Sequence, residues 1–288
     1  MSSVDFWVIA TAMLVGVSCS LVGVFLVLRQ QSMLADAISH SVLLGIVLGL
    51  LFFSAIGGWV SFVGAVLVGL LTAFLSEFLR TKAELHADAS IGVTFTFLFA
   101  LGVILVSAFA RDVHFDTDCI LFGEILFVPL ERLILFGQDI GPRSFWSLFI
   151  VLCINIALIT IGGRALKVIS FDPILAQVQG TRIHFWHYTL MAAVSLSVVA
   201  SFEAVGVILV VAMLVIPASC GFLLARSVSS MIYLAIIFSL LSSIIGYQFA
   251  TYTNGPVAAA IAMAAGVILL FCIVLSKLPV LISRNLKL

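Results

Sequence analysis

The stretch Arg29–Leu50, RQQSMLADAISHSVLLGIVLGL, determines how the rest of the chain is interpreted. It is apolar enough to lie in a bilayer, yet it contains Asp36 and His40. Residues four apart on a helix lie on one face, one turn from each other, so this carboxylate and this imidazole can share one divalent cation. Ionisable groups at membrane depth are costly and usually face a polar cavity on a transport or proton path. The alternative is a structural Asp–His pair that fixes helix packing.

The composition of the whole chain also indicates a membrane protein. Of 288 residues, 64% are apolar and 9% are charged, whereas soluble domains carry roughly 25% charged residues. The apolar runs are long and unbroken, which favours helices over the alternating strands of an outer-membrane barrel. A net charge of zero gives no indication of nucleic-acid binding. The sequence therefore predicts an all-α integral membrane protein, a polytopic helical bundle that forms a single transmembrane domain over residues 1–288.

Nine apolar segments are candidates for membrane spans, and since roughly 20 residues cross the hydrocarbon, most of them are long enough. The sixth segment is short and fits a tilted or partial helix, so eight or nine transmembrane helices are predicted. The segments lie at about 5–28, 33–54, 58–79, 89–110, 145–162, 187–201, 204–225, 231–250 and 257–276.

Basic residues predict which side of the membrane each loop faces. If the N-terminus is outside and all nine segments cross, ten of the 13 Lys and Arg residues lie inside and three outside. The predicted orientation therefore has the N-terminus outside and the C-terminus in the cytoplasm. In this orientation the outer face is acidic, which raises the local concentration of cations. The alternative is that acidic residues merely tolerate translocation.

The outer stretch at about 111–144 is the longest predicted segment that does not cross the membrane. It begins with RDVHFDTD, and the apolar sequence after it is predicted to form a re-entrant or surface-lying helix buried in protein. Glu203, in another outer turn, is a further candidate metal ligand. The segment RDVHFDTD places oxygen and nitrogen donors that suit a divalent cation at alternate positions. The same segment also fits a hydrated polar loop or a contact with a partner. Its donors are Asp112, His114, Asp116 and Asp118.

An inner segment, GGRALKVISFDPILAQVQGTRIHFWH, follows the fifth span. Asp172 is a typical helix cap, Pro173 suits the first turn, and Gly180 suits the end of a helix. The pattern predicts a short cytoplasmic helix at about 171–180 that docks into a groove on a partner. An ordinary amphipathic helix at the membrane interface is the alternative.

Two patterns inside the spans predict local packing. Gly45 and Gly49 form a GxxxG motif in the second segment, and small residues at this spacing let two helices approach closely. Pro217 lies inside the seventh segment, where it frees a backbone carbonyl and is expected to kink the helix.

Five blocks of the sequence, in order, resemble the permease subunits of manganese, zinc and iron ABC importers, the cluster A-I or ABC-3 metal permeases. They run from Ser32 to Ser219 and read SMLADAISHSVLLGIVLG, ADASIGVTFTFLFALGVILVS, LFGEIL, LKVISFDPILAQVQG and VGVILVVAMLVIPAS. The resemblance implies a fold like that of type II ABC importers in the bacterial cytoplasmic (inner) membrane. It implies a transport subunit that is not an enzyme and that moves Mn²⁺, Zn²⁺ or Fe²⁺ into the cell.

The same resemblance implies partners and residue roles. A second permease copy or close relative would pair with this chain, a cytoplasmic ABC ATPase dimer would hydrolyse ATP, and an extracytoplasmic metal-binding protein would deliver the cation. No tightly bound cofactor is expected, only the transported metal and membrane lipid. The intramembrane Asp and His of the family correspond to Asp36 and His40. Its ATPase-coupling block corresponds to Phe171, Asp172, Pro173, Ala176 and Gly180.

Three other functions are alternatives to this one. The first is a proton-coupled secondary metal transporter in which Asp36 and His40 relay protons. The second is the permease of a metal-chelate importer of the siderophore or cobalamin type, which should lack an Asp–His pair at this depth. The third is a membrane metalloprotease, which the missing HExxH motif disfavours. No GxxxxGK[ST] phosphate loop occurs either, so ATP hydrolysis would need another subunit.

Overall fold

The computed structural model describes residues 3–53, 59–109, 125–126, 128–130, 132–135 and 138–285. Within these residues the chain is almost entirely helical, with nine long apolar helices and one short helix. The helices are α1 (Ser3–Leu28), α2 (Met33–Phe53), α3 (Trp59–Lys82), α4 (Ala87–Phe109), α5 (Arg143–Phe171), α6 (Pro173–Val178), α7 (Ile183–Val205), α8 (Val207–Leu224), α9 (Val228–Thr253) and α10 (Val257–Asn285).

Eight of these helices are long and apolar enough to cross a membrane, judged by length and composition. The remaining long helix, α2, has 21 residues and is apolar over Met33–Gly49. The prediction of eight or nine spans is therefore confirmed. The expectation of a short sixth span was wrong, because α7 has 23 residues. The polar residues of its first turns, such as His184 and His187, interrupt the apolar run but not the helix.

Helices α1 and α7 form the centre of the bundle. Helix α1 packs against α5, α7, α8 and α9, while α7 also packs against α2, α3 and α5. Phe25 of α1 and Val198 of α7 are completely buried. Large apolar side chains on the outer helices are exposed instead, as at Ile104 of α4 and Leu270 of α10. This distribution leaves the outer helices to face lipid or other chains.

Glycine residues mark the closest contacts between helices. A Cβ atom added at Gly45 of α2 would lie 2.6 Å from the Cα atom of Ala65 and 2.6 Å from the carbonyl oxygen of Gly64, both in α3. The predicted close approach at the GxxxG motif is thus confirmed. Gly23 of α1 lies so close to the carbonyl oxygen of Leu214 that any side chain there would collide with the backbone of α8.

Helix α8 contains Pro217 in its interior, as the sequence predicted, and the residue is buried. A single residue, Gly206, joins α7 to α8. Its φ of 78° lies in the left-handed region that glycine adopts without strain. The two helices therefore follow each other with almost no loop.

The outer stretch contains a two-stranded hairpin where the sequence predicted a helix. Strand β1 (Arg132–Leu135) pairs antiparallel with β2 (Gln138–Pro142). The helix was predicted over LFGEILFVPLERLILFG, and the prediction is wrong at Arg132–Leu135, which pair as a strand; at the end of the hairpin Gly141 has a φ of 106°. A Cβ at Gly141 would meet the ring of Trp7, so the hairpin lies against the start of α1. The donor-rich RDVHFDTD lies outside the described residues.

Replacing Gly45 with valine should destabilise the protein, because the added atoms would push α2 away from α3. Overpacking of this kind costs about 1–3 kcal/mol. The thermal unfolding midpoint of the detergent-solubilised protein measures the effect. Gly266→Val is the matched control, because nothing lies within 4 Å of a Cβ at that position. An unchanged midpoint for Gly45→Val would contradict the close approach of these helices.

Candidate functional site

The corner between α1 and α2 positions the predicted Asp–His pair. Gln30 takes a left-handed φ of 57°, and the amide of Gln31 donates to the carbonyl oxygen of Leu26 at 2.9 Å. These features end α1 in the manner of a left-handed helix cap. Helix α2 starts immediately afterwards, so Asp36 and His40 lie in its first two turns. At 1.5 Å per residue they are about 5 and 10 Å along the axis from the first residue of α2.

Asp36 and His40 lie together on one face of α2. The distance between Oδ1 of Asp36 and Nε2 of His40 is 3.5 Å. Two ligands that are each about 2.1 Å from one ion lie roughly 3.0–3.4 Å apart at octahedral or tetrahedral angles, so this spacing suits a shared cation. The side chain of His40 is 37% exposed and that of Asp36 is 43% exposed. Both donors are therefore accessible from outside the chain.

Aromatic rings of α4 border the histidine on one side. The ring centroid of His40 is 5.8 Å from that of Phe95 and 6.0 Å from that of Phe99. In the part of the chain that the structure describes, no group of three or more His, Cys, Asp or Glu residues is placed to hold a metal ion. The described residues contribute two donors at this position, so water or another chain could supply further ligands of a bound cation.

Glu203 is not close to this pair. It is exposed near the last turn of α7, whereas His187 near the start of α7 contacts Arg29 at the corner before α2. The sixteen residues between these positions of α7 correspond to about 24 Å along the helix. Glu203 therefore lies at the opposite end of the bundle. The other candidate ligands, Asp112, His114, Asp116 and Asp118, lie outside the described residues.

The short helix predicted at 171–180 is present as α6. The carboxylate of Asp172 accepts hydrogen bonds from the amides of Ile174 and Leu175, both at 3.0 Å, and Pro173 occupies the first turn. Gly180, with a φ of 72°, follows the end of the helix. The local sequence thus determines both ends of α6.

Helix α6 buries one side and exposes an apolar surface on the other. Ala176 is completely buried, whereas Ile174 is 75% and Val178 is 81% exposed. Phe171, the last residue of α5, is also exposed. An exposed group of large apolar side chains typically marks a contact with a protein or a lipid surface.

A network of polar side chains at the same end of the bundle was not predicted. Arg29 donates from Nη1 to Nδ1 of His187 at 3.2 Å and from Nε to Oγ of Ser170 at 3.1 Å. Nε2 of His187 lies 3.8 Å from a carboxylate oxygen of Glu77, and the same oxygen lies 3.4 Å from Nη1 of Arg80. Burial lowers the pKa of Arg29 to about 10, although the nearby charge of Glu77 opposes this shift.

The third predicted segment ends at about residue 79, whereas α3 continues to Lys82, so Arg80 lies inside the helix with Glu77 rather than after it. The spacing of Glu77 and Arg80, three residues apart with opposite charges, is a pattern that supports a helix and was the available signal. The contact of Arg29 with His187 carries no local signal, because the two residues are 158 positions apart.

A bundle of long apolar helices with an ionisable pair in one span and a capped helix between two others defines a membrane-embedded transport subunit. The chain belongs to the ABC 3 transport family, whose family model matches residues 2–276. Over 285 residues it is 45% identical to the manganese transport system membrane protein MntD of Bacillus subtilis, covering 99% of this chain and 96% of that protein.

Two further similarities agree with this assignment. The chain is 40% identical over 261 residues to the zinc transport system membrane protein TroD of Treponema pallidum, covering 91% of this chain and 71% of TroD. Among solved structures, PsaBC from Streptococcus pneumoniae in complex with Fab superposes with a TM-score of 0.76 and 31% sequence identity. That match covers 94% of this chain and 91% of the other.

Proposed function

We propose that this chain is the transmembrane permease subunit of an ABC importer that moves a divalent transition metal, Mn²⁺, Zn²⁺ or Fe²⁺, across the cytoplasmic membrane into the cell. The observation that carries the proposal is the Asp36–His40 pair, because it offers an anionic oxygen and an imidazole nitrogen 3.5 Å apart on an accessible face of a membrane helix. Relatives named for manganese and zinc transport support the same substrate class.

The family favours this function over the alternatives. Membership of the ABC 3 transport family argues for an importer driven by a separate ATPase rather than by a proton gradient. The relatives above are named for transport of the metal itself, which argues against a chelate as the cargo. The cation is the transported substrate, and no resident cofactor is required.

The proposed orientation places α6 in the cytoplasm. Arg29, at the corner before α2, contacts Ser170 just before α6, so the two segments lie at the same end of the bundle. This end has a concentration of basic residues, which supports a cytoplasmic location under the positive-inside rule. The N-terminus is then outside and the C-terminus inside. The basic residues near this end include Arg29, Arg80, Lys82, Lys167 and Arg182.

Three protein partners complete the proposed importer. A cytoplasmic ABC ATPase dimer contacts the apolar surface of α6 and supplies the energy. An extracytoplasmic metal-binding protein delivers the cation to the outer face. A second permease chain, identical or closely related, faces the accessible side of Asp36 and His40 and completes the path of the ion, because the described residues provide two donors there.

Alanine at Asp36 or at His40 should reduce cation uptake at least about tenfold, since each substitution removes one of the two donors. Uptake of radioactive Mn²⁺ or Zn²⁺ by cells measures this, together with an immunoblot of the membrane fraction. Asp88→Ala and His86→Ala are matched controls, because they remove an exposed aspartate and an exposed histidine near the same end of the bundle. Full uptake by both site variants at normal expression would refute the assigned role.

Aspartate at Ile174 or at Val178 should weaken binding of the ATPase about thirtyfold, because each would place a charge in the apolar contact of α6. Co-purification of the ATPase with the permease in mild detergent measures the effect. Tyr252→Asp is the control, because this residue is 88% exposed at the opposite end of the bundle. If the ATPase is retained by both α6 variants as well as by the control, α6 is not its binding site.

A further inference from the structure

Arg29 lies where the segment before α6 meets the corner before α2. Its Nε donates to Oγ of Ser170 at 3.1 Å, and Ser170 precedes Pro173, the first residue of α6, by three positions. In the other direction along the chain, Asp36 follows Arg29 by seven positions. A single side chain therefore connects the segment proposed to bind the ATPase with the segment proposed to bind the cation.

A second nitrogen of the Arg29 guanidinium connects the same corner to α7 and, through His187, to Glu77 of α3. Nη1 of Arg29 lies 3.2 Å from Nδ1 of His187 on α7. Because a guanidinium group only donates hydrogen bonds, Nδ1 must accept, and the proton of a neutral imidazole is then on Nε2, on the side of Glu77. The side chains of His187 and Glu77 are only 14% and 22% exposed. The imidazole thus lies between the partly buried charges of Arg29 and Glu77.

The network is not fully satisfied in this conformation. Among the described residues, Nη2 of Arg29 and Oε1 of Gln31 are buried and have no hydrogen-bond partner. Leaving a buried donor or acceptor unpaired is unfavourable, so another arrangement of these side chains can compete with this one. A small neighbouring cleft borders these groups, and its polar lining includes Gln31, Glu77, Arg80, Ser90 and His187.

We propose that Arg29 is a positioning residue that transmits a displacement of α6 to the start of α2, and so changes the position of Asp36 and His40 during transport. This inference rests on the proposed function, because it assumes that an ATPase moves α6. The planar guanidinium donates to Ser170 and to His187 at the same time, which the single ammonium group of lysine cannot reproduce in the same geometry. If Arg29 only neutralised Glu77, its positive charge would suffice, and the two hydrogen bonds that it donates in different directions would not be needed.

The substitution Arg29→Lys separates these two roles, since it keeps the positive charge but removes the planar guanidinium that donates in two directions. The complete complex, with its ATPase and metal-binding protein, is reconstituted in proteoliposomes, and Mn²⁺ uptake and ATP hydrolysis are measured together. For Arg29→Lys we expect Mn²⁺ transported per ATP hydrolysed to fall about tenfold while hydrolysis continues, because the movement of α6 would no longer reach the start of α2. Ser170→Ala, a small change that removes one contact, should lower the same ratio to a lesser degree.

Lys167→Gln is the matched control. Lys167 lies on α5, one turn before Ser170, and donates to Oγ of Ser229 at 3.1 Å, but it has no contact with the corner before α2 among the interactions described. The amount of Mn²⁺ transported per ATP hydrolysed by the Lys167→Gln complex should equal that of the unaltered complex. An unchanged ratio in Arg29→Lys and Ser170→Ala, or a proportional fall of uptake and hydrolysis in both, overturns the inference. If the unaltered complex moves no divalent cation, the proposed function fails, and the inference fails with it.

Discussion

Helices in a bilayer gain little from hydrophobic burial, because lipid is as apolar as the protein interior, so close backbone contacts and buried hydrogen bonds must hold this bundle together. The central example is Asn155 of α5. Its amide donates to the hydroxyl of Ser18 on α1 at 2.9 Å and to that of Ser197 on α7 at 2.7 Å. All three residues are completely buried. Separating them would leave polar groups unpaired without water, which is costly, so this amide fixes α1, α5 and α7 relative to each other.

This fixed centre determines where the functional segments can move. Helix α1 leads through Arg29 into α2 with its Asp–His pair, and α5 leads through Phe171 into α6. Both segments therefore begin from helices that are joined at Asn155, and they meet again where Arg29 contacts Ser170. Any movement of α6 relative to α2 must then be taken up at this end of the bundle. Two buried atoms at this end, Nη2 of Arg29 and Oε1 of Gln31, have no hydrogen-bond partner among the described residues, and the same is true of Oδ1 of Asn155 at the centre.

Local rules of the chain were sufficient to predict much of the fold and part of the site. The helical repeat alone places His40 one turn from Asp36, and Asp172 with Pro173 defines the start of α6 regardless of the rest of the protein. Hydropathy did not predict the full length of α7, because polar residues in its first turns lower the mean hydropathy without ending the helix. It also failed at the outer hairpin, where the largely apolar segment Arg132–Leu135 pairs with a second strand instead of forming a helix. The network around Arg29 depends on tertiary packing, so no local pattern predicts it.

The proposed cation site at Asp36 and His40 has two donors among the described residues, which suits transport better than storage of a cation. A site closed by four protein ligands would hold a transition metal as a structural ion, whereas two donors on an accessible face leave positions for water and allow release. The same two donors suit Mn²⁺, Fe²⁺ and Zn²⁺, whose intrinsic affinities favour Zn²⁺ over the other two at a nitrogen and oxygen site. Selection among these ions therefore depends on coordination number and geometry, to which a facing second chain would contribute as much as Asp36 and His40.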